Sequence, residues 1–343
     1  MHTFLTPEPV TIEIRNSAGS VLIDLADVTT STVDVVAGPS HPLGFLDDVI
    51  RAAKAQFVGA RSGGPDANAD HGWGADVPTD DPAERVRVDL RPGGSEGGAS
   101  TLIVDTDPAR DGWKSSFTVH VTAPAGSGVR VQTQSASGVV NGIADRVELR
   151  TASGDVRVDQ VLGRSVVQTA SGDVTISDTA ECDVRTASGD IELRRVRAEA
   201  LVHSTSGDIR IDAAGRDVSA RSVSGDLRLL DVTAGRAELI SVSGDVEVGV
   251  HAGTLAAIDL NTVSGSTAND FVVSAAPPAP ETPTVADAAY LADAEFDAEG
   301  GSPVSTDAGS AAGPHAGTDE PLLDLRVKTT SGDIRLHRAA ASH

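Results

Sequence analysis

Residues 151–158 read TASGDVRV, and close variants follow at 169–176 (TASGDVTI), 186–193 (TASGDIEL), 204–211 (STSGDIRI), 222–229 (SVSGDLRL), 241–248 (SVSGDVEV) and 329–336 (TTSGDIRL). After each Gly-Asp comes an apolar residue, a variable one and another apolar one. The apolar pairs are Val156/Val158, Val174/Ile176, Ile191/Leu193, Ile209/Ile211, Leu227/Leu229, Val246/Val248 and Ile334/Leu336. Period-two alternation rich in β-branched residues marks a strand with one buried face. The residues between the pairs are Arg157, Thr175, Glu192, Arg210, Arg228, Glu247 and Arg335, as a solvent-facing side requires.

The glycines of the phrase are Gly138, Gly154, Gly172, Gly189, Gly207, Gly225, Gly244, Gly265 and Gly332, at spacings of 16, 18, 17, 18, 18, 19, 21 and 67. A period near 18 is too short for helical-hairpin repeats or propeller blades and suits one coil of a β-solenoid. Each glycine marks a corner where the backbone needs positive φ or close approach to the next coil. Ser and Asp beside it can bond local backbone groups and hold the turn.

The chain reads as all-β: a single β-solenoid, or β-helix, of about 18-residue coils. Residues 1–127 form an irregular strand-rich N-terminal part, with a short capping helix at about 45–58 and a flexible loop at about 61–81. In FLDDVIRAAKAQF the apolar residues fall at helix spacing, and such a helix would cover exposed strand edges. Residues 128–268 form the regular solenoid. Residues 269–324, rich in Ala, Pro and acidic residues with no Lys or Arg, have the composition of a disordered insertion. Residues 325–343 hold the final coil and tail.

Hydrophobic residues make up 39% of the 343 but aromatics only 3%, so the core is built from small aliphatics. The net charge is −23, yet residues 128–236 carry 14 basic and 16 acidic side chains, so most of the excess lies in the flanks. An acidic chain repels phosphate backbones and anionic lipid, which excludes nucleic acid as a partner. No run of about 18 apolar residues occurs, and the opening MHTFLTPEPVTIEI lacks a basic segment followed by an apolar one. No membrane insertion and a cytoplasmic location are expected. Cys182 is the single cysteine, so no internal disulfide exists.

These phrases, with VTIEIRNSAGSVLIDL at the start and FTVHVTAPAGSGVRVQTQSASGVV in the middle, resemble a bacterial family of β-strand-repeat domains of unknown function, the putative adhesins. The resemblance covers residues 8–40 and 84–336, apart from the two insertions. It implies a β-solenoid, no established catalysis and no assigned site residues, and its name implies surface attachment.

The sharpest chemical candidate is the row Asp155, Asp173, Asp190, Asp208, Asp226 and Asp245. Carboxylates stacked about 4.8 Å apart repel by about 1 kcal/mol per pair in water and about 3.5 kcal/mol at an effective dielectric of 20. Backbone N–H groups, Arg neighbours or a calcium ladder would relieve this, and the turn-stabilising role is the expected one. A second row, Arg150, Gln168, Arg185, His203 and Arg221, reads as a solvated face or a stripe for carboxylates or sugars. No P-loop, GxSxG elbow or His pair at metal spacing is present. The expected function is a non-catalytic scaffold for protein or surface interaction, adhesin-like, without cofactor or metal, its partner a protein or glycan. The alternatives are a structural protein that polymerises through its solenoid ends and a carbohydrate-active enzyme on a β-helix.

Overall fold

The computed structural model describes residues 1–38, 86–93, 99–106, 116–271 and 322–339. The helix read at 45–58, the loop at 61–81 and most of the 269–324 insertion lie outside the described residues. Among the described residues every regular element is a β-strand.

From β7 (Ser127–Ser153) onward the chain builds a parallel stack. Each coil has an approach strand, a sharp corner at the Ser-Gly-Asp phrase and an exit strand, then a looser bend into the next coil. β8 (Val156–Ser171), β9 (Val174–Ser188) and β10 (Ile191–Ser206) each run from one corner to the next. Beyond Gly207 the bend divides the strands into β11 (Ile209–Ala214), β12 (Asp217–Ser224), β13 (Leu227–Val232), β14 (Gly235–Ser243) and β15 (Val246–Val250). The uneven spacing of the phrase is absorbed at the looser bend, where the register shifts between Val161 and Arg164 and between Val196 and Glu199.

Parallel pairing puts like positions in rows. Val156, Val174, Ile191, Ile209, Leu227 and Val246 are stacked neighbours on the exit wall and fully covered. Facing them from the approach wall are Val167, Val184, Val202, Ala220 and Leu239, and the smaller row Ser165, Cys182, Ala200, Val218 and Ala237. Two walls this close leave room for aliphatic side chains only, which accounts for the scarcity of rings in the stack.

At the N-terminal end β2 (Thr11–Ala26) lies parallel to β7, from Thr11↔Gly128 to Leu25↔Gly142. Its other edge is covered by β5 (Thr101–Asp105) and β6 (Ser116–Pro124), both still parallel. The next layer reverses direction: β4 (Arg87–Arg91) is antiparallel to β5, and β3 (Thr30–Gly38) is antiparallel to β6. β1 (His2–Leu5) then closes against β3.

One expected corner is misplaced. Gly138 lies opposite Val156, not Gly154, so Ala136 holds the corner position of its coil. Gly138 lacks the positive φ of the other eight, which lies between 127° and 153°. A Cβ built there would meet only the Leu149 side chain, at 3.2 Å. The short spacing of 16 was the sign of this slip. Gly19, with φ 117° and Ala136 opposite it, is the corner glycine of β2.

The second correction concerns the end of the stack. β16 (Leu255–Ser264) and β17 (Thr267–Asn269) follow β15 in the chain, but they do not stack on it. β18 (Leu322–Ser331) pairs with β14 on one side and β16 on the other, and β19 (Ile334–Arg338) with β15 and β17. The final coil of the chain is therefore the penultimate layer, and the Gly265 coil, whose glycine is followed by Ser-Thr-Ala in place of Asp and an apolar pair, is the outermost. Hydrophobicity selects this order. Leu323, Leu325, Val327, Ile334 and Leu336 are buried, whereas β17 brings Thr267 and Asn269 opposite Ile334 and Leu336. Those polar side chains would sit between two aliphatic layers if β17 were interior, and burial without partners is costly. Charge selects it too. Arg326 lies between Glu238 and Asp259, which would otherwise face each other directly.

Candidate functional site

The corner carboxylates form a ladder that the backbone completes. The Asp173 N–H donates to Asp155 Oδ1 at 3.1 Å, Asp190 to Asp173 at 2.9 Å, Asp208 to Asp190 at 2.8 Å, Asp226 to Asp208 at 2.9 Å and Asp245 to Asp226 at 2.9 Å. The run then follows space, not sequence: the Asp333 N–H donates to Asp245 Oδ1 at 2.9 Å, and Ser266 N and Oγ donate to Asp333 Oδ1 at 2.8 and 2.9 Å. After a glycine in left-handed geometry the next N–H points along the stack, and an ionised oxygen is a strong acceptor for it. Repulsion between neighbouring carboxylates is offset because each also receives this dipole. The Ser266 backbone and hydroxyl bonds, with Arg335 a smaller contributor, hold the Asp333 carboxyl below its ordinary range.

One oxygen of each carboxylate is thus committed to the fold. Arg228 lies 2.9 Å from Asp226 Oδ2 and 3.8 Å from Asp208 Oδ2. Among the described residues no group of three or more His, Cys, Asp or Glu side chains is arranged to hold a metal ion.

Arg150, Gln168, Arg185, His203 and Arg221 do form one column on the outer face of the approach wall. Acids two residues before them or in the next coil pair with the cations: Arg150 with Glu148 at 3.0 Å, Arg185 with Asp183 at 3.0 Å and Arg221 with Glu238 at 3.1 Å. His203 sits between Arg185 and Arg221, and desolvation followed by the two guanidinium charges lowers its pKa. Its enclosed Nδ1 has no hydrogen-bond partner. Cys182 faces the core, where burial pushes its thiol up to about 12, so the thiolate needed for nucleophilic work is not formed at neutral pH.

An inner hydroxyl row accompanies the corner. Thr151, Thr169 and Thr186 donate to the carbonyls of Ser153, Ser171 and Ser188 at 3.1–3.2 Å. Where serine takes the position, at Ser204, Ser222 and Ser241, the enclosed Oγ has no partner. Threonine's branched β-carbon restricts χ1 and so keeps its hydroxyl on target.

A surface feature escaped the reading of the sequence. Glu199, Leu201, Asp217, Ser219, Glu238 and Asp324 line a shallow depression of about 520 Å³ on the approach wall, with Arg236 at its side. Leu201, Ser219 and Glu238 stand six residues before their corner glycines, a position that varies freely between coils and carries no repeated signal. Asp324 reaches the depression through the displaced β18 and pairs with Arg236 at 3.3 Å. The arrangement offers negative charge around a small apolar floor.

Residues 114–254 match the family described as Toastrack DUF4097. No curated protein matches the chain. The solved structure of a putative cell adhesion protein from Clostridium sporogenes is 6% identical over 98% of each chain, with a TM-score of 0.22, a likeness too distant to carry an argument. The family match covers the parallel stack from β6 to the bend after β15, so this part of the chain is similar to the Toastrack DUF4097 domain.

Proposed function

We propose that this protein is a non-catalytic scaffold that docks a protein partner on its approach wall. The observation that carries the reading is the depression itself. Glu199, Asp217, Glu238 and Asp324 converge around Leu201 and Ser219, and among the described residues only two of these four acids meet cations, Glu238 with Arg221 and Asp324 with Arg236 and Arg326. A basic partner segment with one apolar side chain complements it. Among the described residues no aromatic ring lines the depression, which favours a protein over a glycan, since sugar faces are held by stacking on rings. The adhesin-like role implied by the family resemblance is one form this docking would take.

The test is recovery of a partner from the native cell by cross-linking. The wild-type protein and an Arg157→Glu variant, altered on the exit wall, should recover the same protein. A Glu199→Lys/Leu201→Asp variant should lose it at unchanged melting temperature. Equal recovery by all three would refute the reading.

A second reading, self-association through the solenoid end, is favoured by the outermost coil. Leu255 and Val263 are 55% and 79% exposed there, and Ala256, Ile258 and Leu260 are only partly covered. Growth of scattering mass with concentration would select it, and release of sugar from a glycan panel would select a carbohydrate-active enzyme instead.

A further inference from the structure

The coil formed by β18 and β19 occupies a slot between two coils that are consecutive in the chain. It is hydrogen-bonded along both edges. Gly332 N donates to Ser264 O and Gly244 N to Ser331 O, both at 3.0 Å, while Ile334 N donates to Ser266 O at 2.9 Å and Val246 N to Asp333 O at 2.8 Å. Without this coil the slot would present two open parallel edges and the acidic residues Glu238, Glu247 and Asp259. The coil brings Arg326 between Glu238 and Asp259, and Arg335 opposite Glu247. Five aliphatic side chains from Leu323 to Leu336 fill the core layer.

From this geometry we infer that the slot is a strand-acceptor site and that two copies of this chain exchange β18–β19 to form a reciprocal dimer. Every hydrogen bond, ion pair and buried contact of the coil is the same whichever copy supplies it, which makes exchange an inexpensive route to a dimer. The connection permits it. Closing the monomer requires only that the chain cross one bend and step back one coil, a span far below the roughly 3.3 Å per residue that the 50 residues 272–321 could reach if extended. Complementarity makes the exchange specific: a basic donor meets an acidic slot in a chain whose net charge of −23 opposes other contacts between copies. The inference does not rest on the partner-docking reading: Asp324 of β18 lines the depression whichever copy supplies that strand, so the two readings are tested separately.

Ser243 and Ser331 are paired neighbours on exposed positions of β14 and β18, so they report which copy fills the slot. In a Cys182→Ala background, full-length Ser243→Cys and Ser331→Cys variants are mixed, co-refolded from denaturant and concentrated in steps to about 1 mM, the range of intramolecular effective concentration. The expected result is a disulfide-linked dimer containing both variants, at least tenfold above the level either gives alone, with doubled mass by light scattering. The double variant Ser243→Cys/Ser331→Cys should close within one copy at low concentration. Three results would overturn the inference: a double variant that does not close, mixed variants that stay monomeric through the series, or a dimer without the mixed disulfide, which would place contact at the outermost coil. A linked product with a foreign protein in place of a second copy would overturn the self-exchange as well.

Discussion

Replacing Gly207 with Ala tests the corner directly. Gly207 has φ +130°, and a Cβ there would sit 2.7 Å from the Gly189 carbonyl carbon, closer still to its oxygen. Holding a non-glycine residue in that conformation costs roughly 1–3 kcal/mol. Relieving the overlap must also move the corner, straining the bonds from Gly189 N to Ser206 O at 3.2 Å and from Gly207 N to Ser224 O at 3.1 Å, at about 1 kcal/mol each. The sum is about 3–5 kcal/mol, or roughly 6–20 °C in melting temperature at about 2–4 °C per kcal/mol. Two controls separate the causes. Gly253 has φ +91° but nothing within 4 Å, so its Ala variant bears the backbone strain alone, roughly 1–2 kcal/mol. Gly138 has no positive φ and faces only a movable Leu149 side chain, so its Ala variant should stay within about 1 kcal/mol. Thermal melts followed by circular dichroism read all three. If Gly207→Ala and Gly138→Ala lose equally, the corner column drawn through Ala136 is wrong.

The Asp ladder predicts that Asp208→Ala, which strands the Asp226 N–H, costs about 1–3 kcal/mol while Asp208→Asn recovers most of it, and that EDTA leaves both melts in place; a calcium-restored loss would show a metal role. Ser222→Ala should leave the melting temperature level or higher because its hydroxyl has no partner, whereas Thr169→Ala, losing a bond to Ser171 O, should lower it by about 1 kcal/mol in equivalent stability. Asp333 has a depressed pKa when folded, so its contribution is complete above the ordinary 3.8 and drains as pH falls below that value. Wild type should therefore lose more melting temperature than Asp333→Asn between about pH 5 and pH 3; parallel acid limbs would remove the contribution.

What could be read from the residues depended on whether the information was local. The apolar pairs after each Gly-Asp declared their strand, its buried face and its stacking partner, because alternation and a positive-φ glycine are properties of a few neighbouring residues. The ladder of Asp155 to Asp245 was legible as a row, but which N–H each carboxylate would accept from needed the corner's direction. Gly138 misled because its phrase, SASGVV, imitates the corner two residues late, and Gly19 escaped because its phrase lacks the Asp. The place of β18–β19 was not readable by adjacency at all. It follows from Thr267, Asn269 and Asp259, whose polarity matters only once one asks which layer has a neighbour on both sides. The depression at Glu199 and Leu201 was invisible for the opposite reason, since its residues come from positions the repeat leaves free.

Layer order that departs from chain order has a consequence during synthesis. Coils from β7 to β15 can each settle as they leave the ribosome, since the layer below is already in place. β16 and β17 emerge next, yet their supporting layer is encoded about 50 residues later. At roughly 5–20 residues per second the growing stack waits several seconds with an unfilled layer and an unmatched coil in hand. Nascent chains on one messenger stand close together during that interval. Slowed translation across codons 272–321 should therefore lengthen the exposure of both edges, and fast translation should shorten it, making elongation rate a determinant of how often copies of this protein leave the ribosome joined.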